Sequence, residues 1–415
     1  MSYYSGGEVK SKIIDPVNDI TNLRSEFRLD NIPCMLTRMR LINIGLTGTS
    51  SVNNDYNLLT GSYGIIKNIR LMDGATELSS LRECSRYLGF KNSQFQNAQN
   101  QSIYKLLSNS RSGYIVAGNT NKQGFAIDNN TSINTTSSTT NKGHLDLRFV
   151  LPLLRSVTSL NNQLFPKLRL VIEYDTSSFK TRGSTFTNNS VRPSLVIDEV
   201  VDDSVINSEV SSFPKNTNWL EIEHDSFIVP EISDVSLQST DHQTQQVTNK
   251  VNGFNNKNLQ RLVVMKNDSN VNNLYTVSNL IVGVGNEGSL SQYKQKINYV
   301  VNGRNIMVGN GAETDAQRSA MLVDSWDDLN VISGSNRVGT DFEDDSTHSD
   351  ELSQRDYDGV YIGSDIKDFQ VNFEREVIRN GGNQSQSINS LVVNLYGEVM
   401  KNLSVKGNEY VVSYA

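Results

Sequence analysis

A chain of 415 residues, 36% hydrophobic and 20% charged, is too long for one ordinary core and suits two domains of roughly 200 residues each. Charge this sparse excludes a charge-driven disordered chain, and a formal net charge of −7 excludes a surface that coats nucleic acid through a basic excess. The only two cysteines, Cys34 and Cys84, exclude a disulfide framework and fit a reducing site of synthesis. The opening MSYYSGGEVK is polar, and no run approaches the ~18 apolar residues of a membrane span. The expectation is a chain made and kept soluble.

In chain order, residues 1–32 carry two early glycines and weak periodicity, and read as an N-terminal arm. CMLTRMRLINIGL from Cys34 and YGIIKNIRLM from Tyr63 are strand candidates, the second with Ile65, Ile69 and Leu71 on one face. Asp73-Gly74 then opens a predicted helix, with Leu78, Leu81, Cys84 and Leu88 at three- and four-residue spacing and Gly89 as its C-terminal glycine. Residues 92–142 are rich in Asn, Gln, Ser and Thr and read as a long polar loop.

The stretch 143–176 is the densest strand signal of the first half. Leu145, Leu147, Phe149 and Leu151 alternate with Asp146 and Arg148, and Leu168, Leu170, Ile172 and Tyr174 with Arg169 and Glu173. RPSLVIDEVVDD supplies another strand, and 198–214 reads as a semi-extended linker.

The second half opens on WLEIEHDSFIVPEI, with Leu220 and Ile222 set against Glu221 and Glu223. LQRLVVMK and LIVGVG are short apolar strands, and KINYVVNGRNIMVG holds Asn302-Gly303 between alternating runs, a hairpin signal. Ala316, Ala320 and Val323 give 312–326 helical spacing, and 330–363 is an acidic polar loop. DFQVNFEREVI, SLVVNLYGEVM and EYVVSYA close the chain as strands. Many strands, few helices and a similar order of elements in both halves predict an all-β fold with a few short helices, built as two sandwiches in tandem.

The side chains that carry chemistry are scattered. His144, His224, His242 and His348 have no metal-ligand spacing, and no HExxH, CxxC, P-loop or GxSxG pattern occurs. Cys84, on an apolar stripe, reads as a small buried hydrophobe and not a nucleophile. Asp341, Glu343, Asp344, Asp345, Asp350 and Glu351 could present oxygens to calcium, but they lack the spacing and turn glycine of an EF-hand and read as a solvated loop. Glu221, Glu223 and Asp225 could be glycosidase carboxylates, yet the same spacing arises on any solvent-facing strand. Gly283, Gly285 and Gly288 follow a strand without the helix and lysine of a phosphate loop. Tyr396, Tyr410 and Tyr414 could stack on sugars or lie buried at an interface. No catalytic, cofactor-binding or metal-binding residue is assigned.

Three runs carry a family resemblance: IKNIRLMDGATELSSLREC, FPKLRLVIEYDT and SLVVNLYGEVMKNLSVKGNEYVVSYA. They resemble a double jelly-roll major capsid protein, in particular those of polinton-like viruses and virophages, over most of 33–415. The resemblance implies a double jelly roll, with 33–205 as the first jelly roll and 206–415 as the second. It further implies a homotrimer of pseudo-hexagonal outline that tiles an icosahedral capsid, contacts with penton and minor capsid proteins, a virion location, and no enzyme activity, cofactor or specific nucleic acid. The chain is shorter than many virophage capsid proteins, which leaves main-lattice and accessory roles open. The competing readings are a receptor- or carbohydrate-binding spike, fibre or minor capsid protein, and a sandwich glycosidase using Glu221, Glu223 and Asp225.

Overall fold

The computed structural model describes residues 9–17, 23–49, 62–93, 107, 143–174, 187–191, 193–235, 242–268, 290–307, 311–312, 315–326, 357–379, 386–388 and 390–414. The first half contains β1 (Val9–Ile14), β2 (Arg24–Arg28), β3 (Cys34–Leu36), β4 (Arg40–Ile44), β5 (Leu46–Thr49), β6 (Ile66–Asp73) and β7 (Thr76–Leu81). Helix α1 (Cys84–Ser93), β8 (Gly143–Asp146), α2 (Leu153–Ser156), β9 (Ser159–Asn161), β10 (Leu168–Tyr174), β11 (Thr187–Val191), β12 (Ser194–Val200) and helix α3 (Asp203–Ser212) follow. The second half contains β13 (Asn216–Val229), β14 (Ile232–Val235), β15 (His242–Lys250), β16 (Asn258–Asp268), β17 (Leu290–Val301), β18 (Arg304–Asn305) and α4 (Asp315–Trp326). It ends with β19 (Tyr357–Asp365), β20 (Phe369–Arg379), β21 (Gln386–Ile388), β22 (Leu391–Lys406) and β23 (Glu409–Tyr414).

Each half has two main antiparallel sheets with one strand order, and a two-stranded sheet besides, β5-β11 in the first half and β14-β21 in the second. In the first, β12 pairs with β1 along one edge and with β3 and β4 in series along the other; β9 and β8 flank these in turn. The facing sheet runs β2-β10-β6-β7. If β3 with β4, and β8 with β9, count as single broken strands, the eight positions pair as 1-8-3-6 and 2-7-4-5. The second half repeats this order as β13-β22-β16-β19 and β15-β20-β17-β18, with β23 added beside β22. This is the jelly-roll winding, two Greek keys closed over one core.

Connections 2–3, 4–5 and 6–7 are short in both halves: 29–33, 74–75 and 162–167, then 251–257, 302–303 and 366–368. The long ones, including 82–142 and 306–356, all leave the opposite end of each sandwich. Both α1 and α4 lie in the connection after the fifth strand. The Asn302-Gly303 hairpin forms as expected, with both residues at positive φ, 51° and 77°. Asn302 also ties two turns together: its Oδ1 accepts from Lys367 and Asp368 N at 2.7 and 3.1 Å, and its Nδ2 donates to Asp365 O at 2.8 Å. Asn302→Ala should cost about 1–2 kcal/mol in thermal denaturation, more than Asn302→Gly, because alanine loses the bonds and strains the backbone as well.

Several expectations are corrected. Residues 9–14 and 24–28, expected in an arm, are sheet strands. β1 is an exposed edge strand held through its backbone to β12, so it carries no hydrophobic alternation. The 145–151 run leaves strand at Asp146, whose carboxylate accepts from Arg148 N and caps a 3-10 turn, although Leu145, Leu147 and Leu151 stay buried. The helix expected from Gly74 is strand β7 first; Gly74, at φ +58°, turns the β6–β7 hairpin, and Gly89 sits inside α1. The 198–214 linker is mostly α3, capped by Asp202, which accepts from Ser204 and Val205 N. On α4 the inward residues are Leu322, Ser325 and Trp326, while Ala320 is exposed. The 330–363 loop gives way to β19 at Tyr357, and the eighth strand of the second sandwich is β22, with EYVVSY an addition to it. LIVGVG and most of 92–142 lie outside the described residues.

β16 shows how the halves join. Leu262 and Val264 belong to the core of the second sandwich, whereas Val263 and Met265 belong to an apolar cluster that runs through the first. The sheet containing β16 is therefore a wall covered on both faces, which is why LVVM is an unbroken apolar run.

Candidate functional site

The densest constellation of polar and aromatic side chains lies along the seam between the sandwiches. Glu221 on β13 is fully buried. Its Oε1 accepts from Ser79 Oγ at 3.0 Å and Ser80 N at 3.3 Å, both on β7 of the first sandwich. Its Oε2 accepts from Trp219 Nε1 at 2.8 Å and lies 3.6 Å from Lys401 Nζ on β22. Burial pushes the carboxyl up to about 7, against the pull of Lys401, Trp219, Ser79 and Ser80.

The other acids of that strand are committed differently. Glu223 is 3.4 Å from Lys257 Nζ and accepts from Tyr414 Oη at 2.6 Å. Burial, with Glu223 beside it, pushes the Tyr414 phenol well above its ordinary range. Asp225 accepts from Gly253 N and Ser226 N, each at 2.8 Å. The expectation of a solvent-facing acidic row is thus corrected for Glu221. The alternation of WLEIE assumes one wet face, and the first sandwich covers that face.

Two of the three C-terminal tyrosines, Tyr396 and Tyr410, also serve the seam. Tyr396 is fully buried and donates to Glu83 O at 2.8 Å. Tyr410 donates to Asp73 Oδ2 at 2.7 Å and packs 5.1 Å from the Phe165 ring, so β23 reaches across to the first sandwich. His224 Nε2 is 3.1 Å from Asn394 Oδ1 and its ring 4.8 Å from that of Tyr396; burial lowers its pKa. The two helices meet here too. Phe90 of α1 meets Trp326 of α4 edge to face at 5.3 Å, Trp326 Nε1 donates to Leu262 O at 2.8 Å, and the Arg261 guanidinium stacks 4.4 Å from that indole while holding Glu398 in two bonds at 2.6 and 3.0 Å.

The remaining candidates are dispersed. His144 is exposed on β8 and His242 opens β15; His348, the acids at 341–351 and Gly283, Gly285 and Gly288 lie outside the described residues. Cys34 and Cys84 are buried free thiols; burial raises Cys34 to about 11 and Cys84 further. Among the described residues no group of three His, Cys, Asp or Glu could hold a metal ion. Sequence reading missed Trp219, Lys401, Ser79, Arg261 and Trp326. The one available signal was both tryptophans of the chain standing beside acids or strand ends that read as surface.

No protein-family model matches the chain, and no curated protein matches it. Solved structures do. A chain of the Sputnik virophage structure matches with a TM-score of 0.58 at 12% identity, over 100% of this chain and 90% of that one. The Faustovirus major capsid protein matches at 0.53 and 8% identity, over 98% and 92%. The mavirus major capsid protein matches at 0.51 and 9% identity, over 97% and 90%. Matches that run nearly end to end through both sandwiches give the likeness its meaning: this chain has the double jelly-roll fold of viral major capsid proteins.

Proposed function

We propose that the chain is a major capsid protein, a non-enzymatic building block that forms homotrimers of pseudo-hexagonal outline and tiles an icosahedral shell. The observation that carries this reading is the repetition of one eight-strand order in two sandwiches joined along a buried seam. Two like blocks per chain and three chains per trimer supply six, the number that a hexagonal lattice position requires. The boundary between the blocks, 33–205 and 206–415, falls in this reading at α3, with β1 and β2 added to the first. The long connections gathered at one end of each sandwich suit a rim that meets neighbours or solvent. Partners are then further copies of the chain, with penton and minor capsid proteins at special lattice positions, and the location is the virion. Among the described residues no helix is long and apolar enough to cross a membrane.

The test is the mass and shape of the purified full chain, by light scattering and electron microscopy. The expected result is a flat trimer that packs into hexagonal arrays, with subunit interfaces burying roughly 2,000–5,000 Å². Elongated or monomeric particles that bind glycans would instead identify an attachment protein.

A further inference from the structure

Lys266 and Asp358 form a contact that neither the seam nor the shell reading uses. Lys266 Nζ lies 2.6 Å from Asp358 Oδ2, and the two side chains are 0% and 3% exposed. They stand on adjacent antiparallel strands: the register of β16 and β19 pairs Val264 with Asp358, which puts Lys266 one diagonal step along the same face. That face is the interior of the second sandwich, where Leu262, Val264, Val360, Leu391 and Val393 are buried.

We propose that Lys266 and Asp358 become joined by an amide bond, an intramolecular crosslink that forms after the sandwich closes. An ion pair taken this far from water recovers little of its desolvation cost, and a neutral amide in its place would relieve that cost. The bond forms once one proton passes from Nζ to the carboxylate across the 2.6 Å contact, leaving Nζ with a free electron pair and the carboxyl uncharged. Nζ attacks Asp358 Cγ, the C–N bond forms, the C–O bond to the protonated oxygen breaks, and one water leaves with that oxygen and two protons. No oxidant or reductant is required, and the folded chain holds the reacting groups in place of a second substrate. The product is a neutral amide that removes two buried charges and ties β16 to β19 across residues 267–357, which include the longest connection of that half.

The test is the intact mass of the full chain, denatured after storage at neutral pH, followed by tryptic mapping. The expected result is a mass lower by one water, no cleavage after Lys266, and a branched peptide containing Lys266 and Asp358. Lys266→Arg, which keeps the charge but not the primary amine, should show its full mass. A wild-type chain of full mass that is cleaved normally after Lys266 overturns the proposal. So does a water deficit that persists in Lys266→Arg, since the loss would then lie elsewhere. Both readings stand whether or not the variant folds, because the wild-type chain alone yields the branched peptide or fails to.

Discussion

Glu221→Gln should flatten the pH dependence of stability and leave the protein more stable than wild type at pH 8. The group titrates near 4.5 when exposed and at about 7 in the fold. A raised carboxyl pKa means that the folded state holds its proton more tightly than the unfolded one. The stabilisation is therefore complete below about 4.5 and is lost as pH rises through about 7. A shift of this size corresponds to about 3 kcal/mol. Protonated Glu221 can donate to Ser79 Oγ while Oε2 still accepts from Trp219 and faces Lys401, and glutamine keeps these contacts with its amide, giving up only the 3.3 Å acceptor for Ser80 N. Glu221→Ala is the contrasting variant. It leaves the Trp219 N–H and the buried Lys401 without their acceptor and should cost about 3–5 kcal/mol at acid pH, a cost that shrinks relative to wild type as pH rises through about 7. Urea denaturation of the three proteins from pH 4 to 9 separates the cases; a pH slope retained in Glu221→Gln would mean that another group titrates.

Gly359→Val should be strongly destabilising. A Cβ at Gly359 would stand 2.8 Å from Leu322 Cα, 2.7 Å from Leu322 Cδ1 and 2.6 Å from Ser325 Oγ. One of these is helix backbone, which cannot turn aside, so α4 must lift from β19. Overpacking of this kind costs about 1–3 kcal/mol or more, and lifting α4 also disturbs the Trp326 contacts to Phe90, Arg261 and Leu262. Gly303 is the control: a Cβ there meets nothing within 4 Å, and only its φ of +77° resists substitution. Gly303→Ala should cost about 1 kcal/mol. Tryptophan fluorescence should report the Gly359 variant and be silent for Gly303.

How much of this was legible depended on whether a strand has one wet face. β10, LRLVIEY, and the β17–β18 hairpin were read correctly, because their alternation or turn residues state their environment directly. β1, VKSKII, was unreadable because an edge strand is held by backbone bonds that leave no trace in side-chain pattern. β7, TELSSL, was mistaken for helix because Leu78, Leu81 and Leu88 happen to keep helical spacing across a strand–helix break. Glu221 was misread for the opposite reason. It shares the buried face of its strand with Thr217 and Trp219 while Asn216, Asn218, Ser226 and Ile228 of the other face are exposed, and a carboxylate buried by a partner sandwich looks, residue by residue, like one facing water.

The wall containing β16 also determines how the molecule can come apart. Val263, Met265 and Tyr396 are interior residues of the first half's cluster, while their neighbours Leu262, Val264 and Leu395 are interior residues of the second. A strand with no outer side cannot be left behind intact when either half melts. The two sandwiches should therefore unfold in one cooperative step, and a fragment beginning at Asn216 would expose half of its own sheet as raw core. What topology counts as two blocks, thermodynamics treats as one.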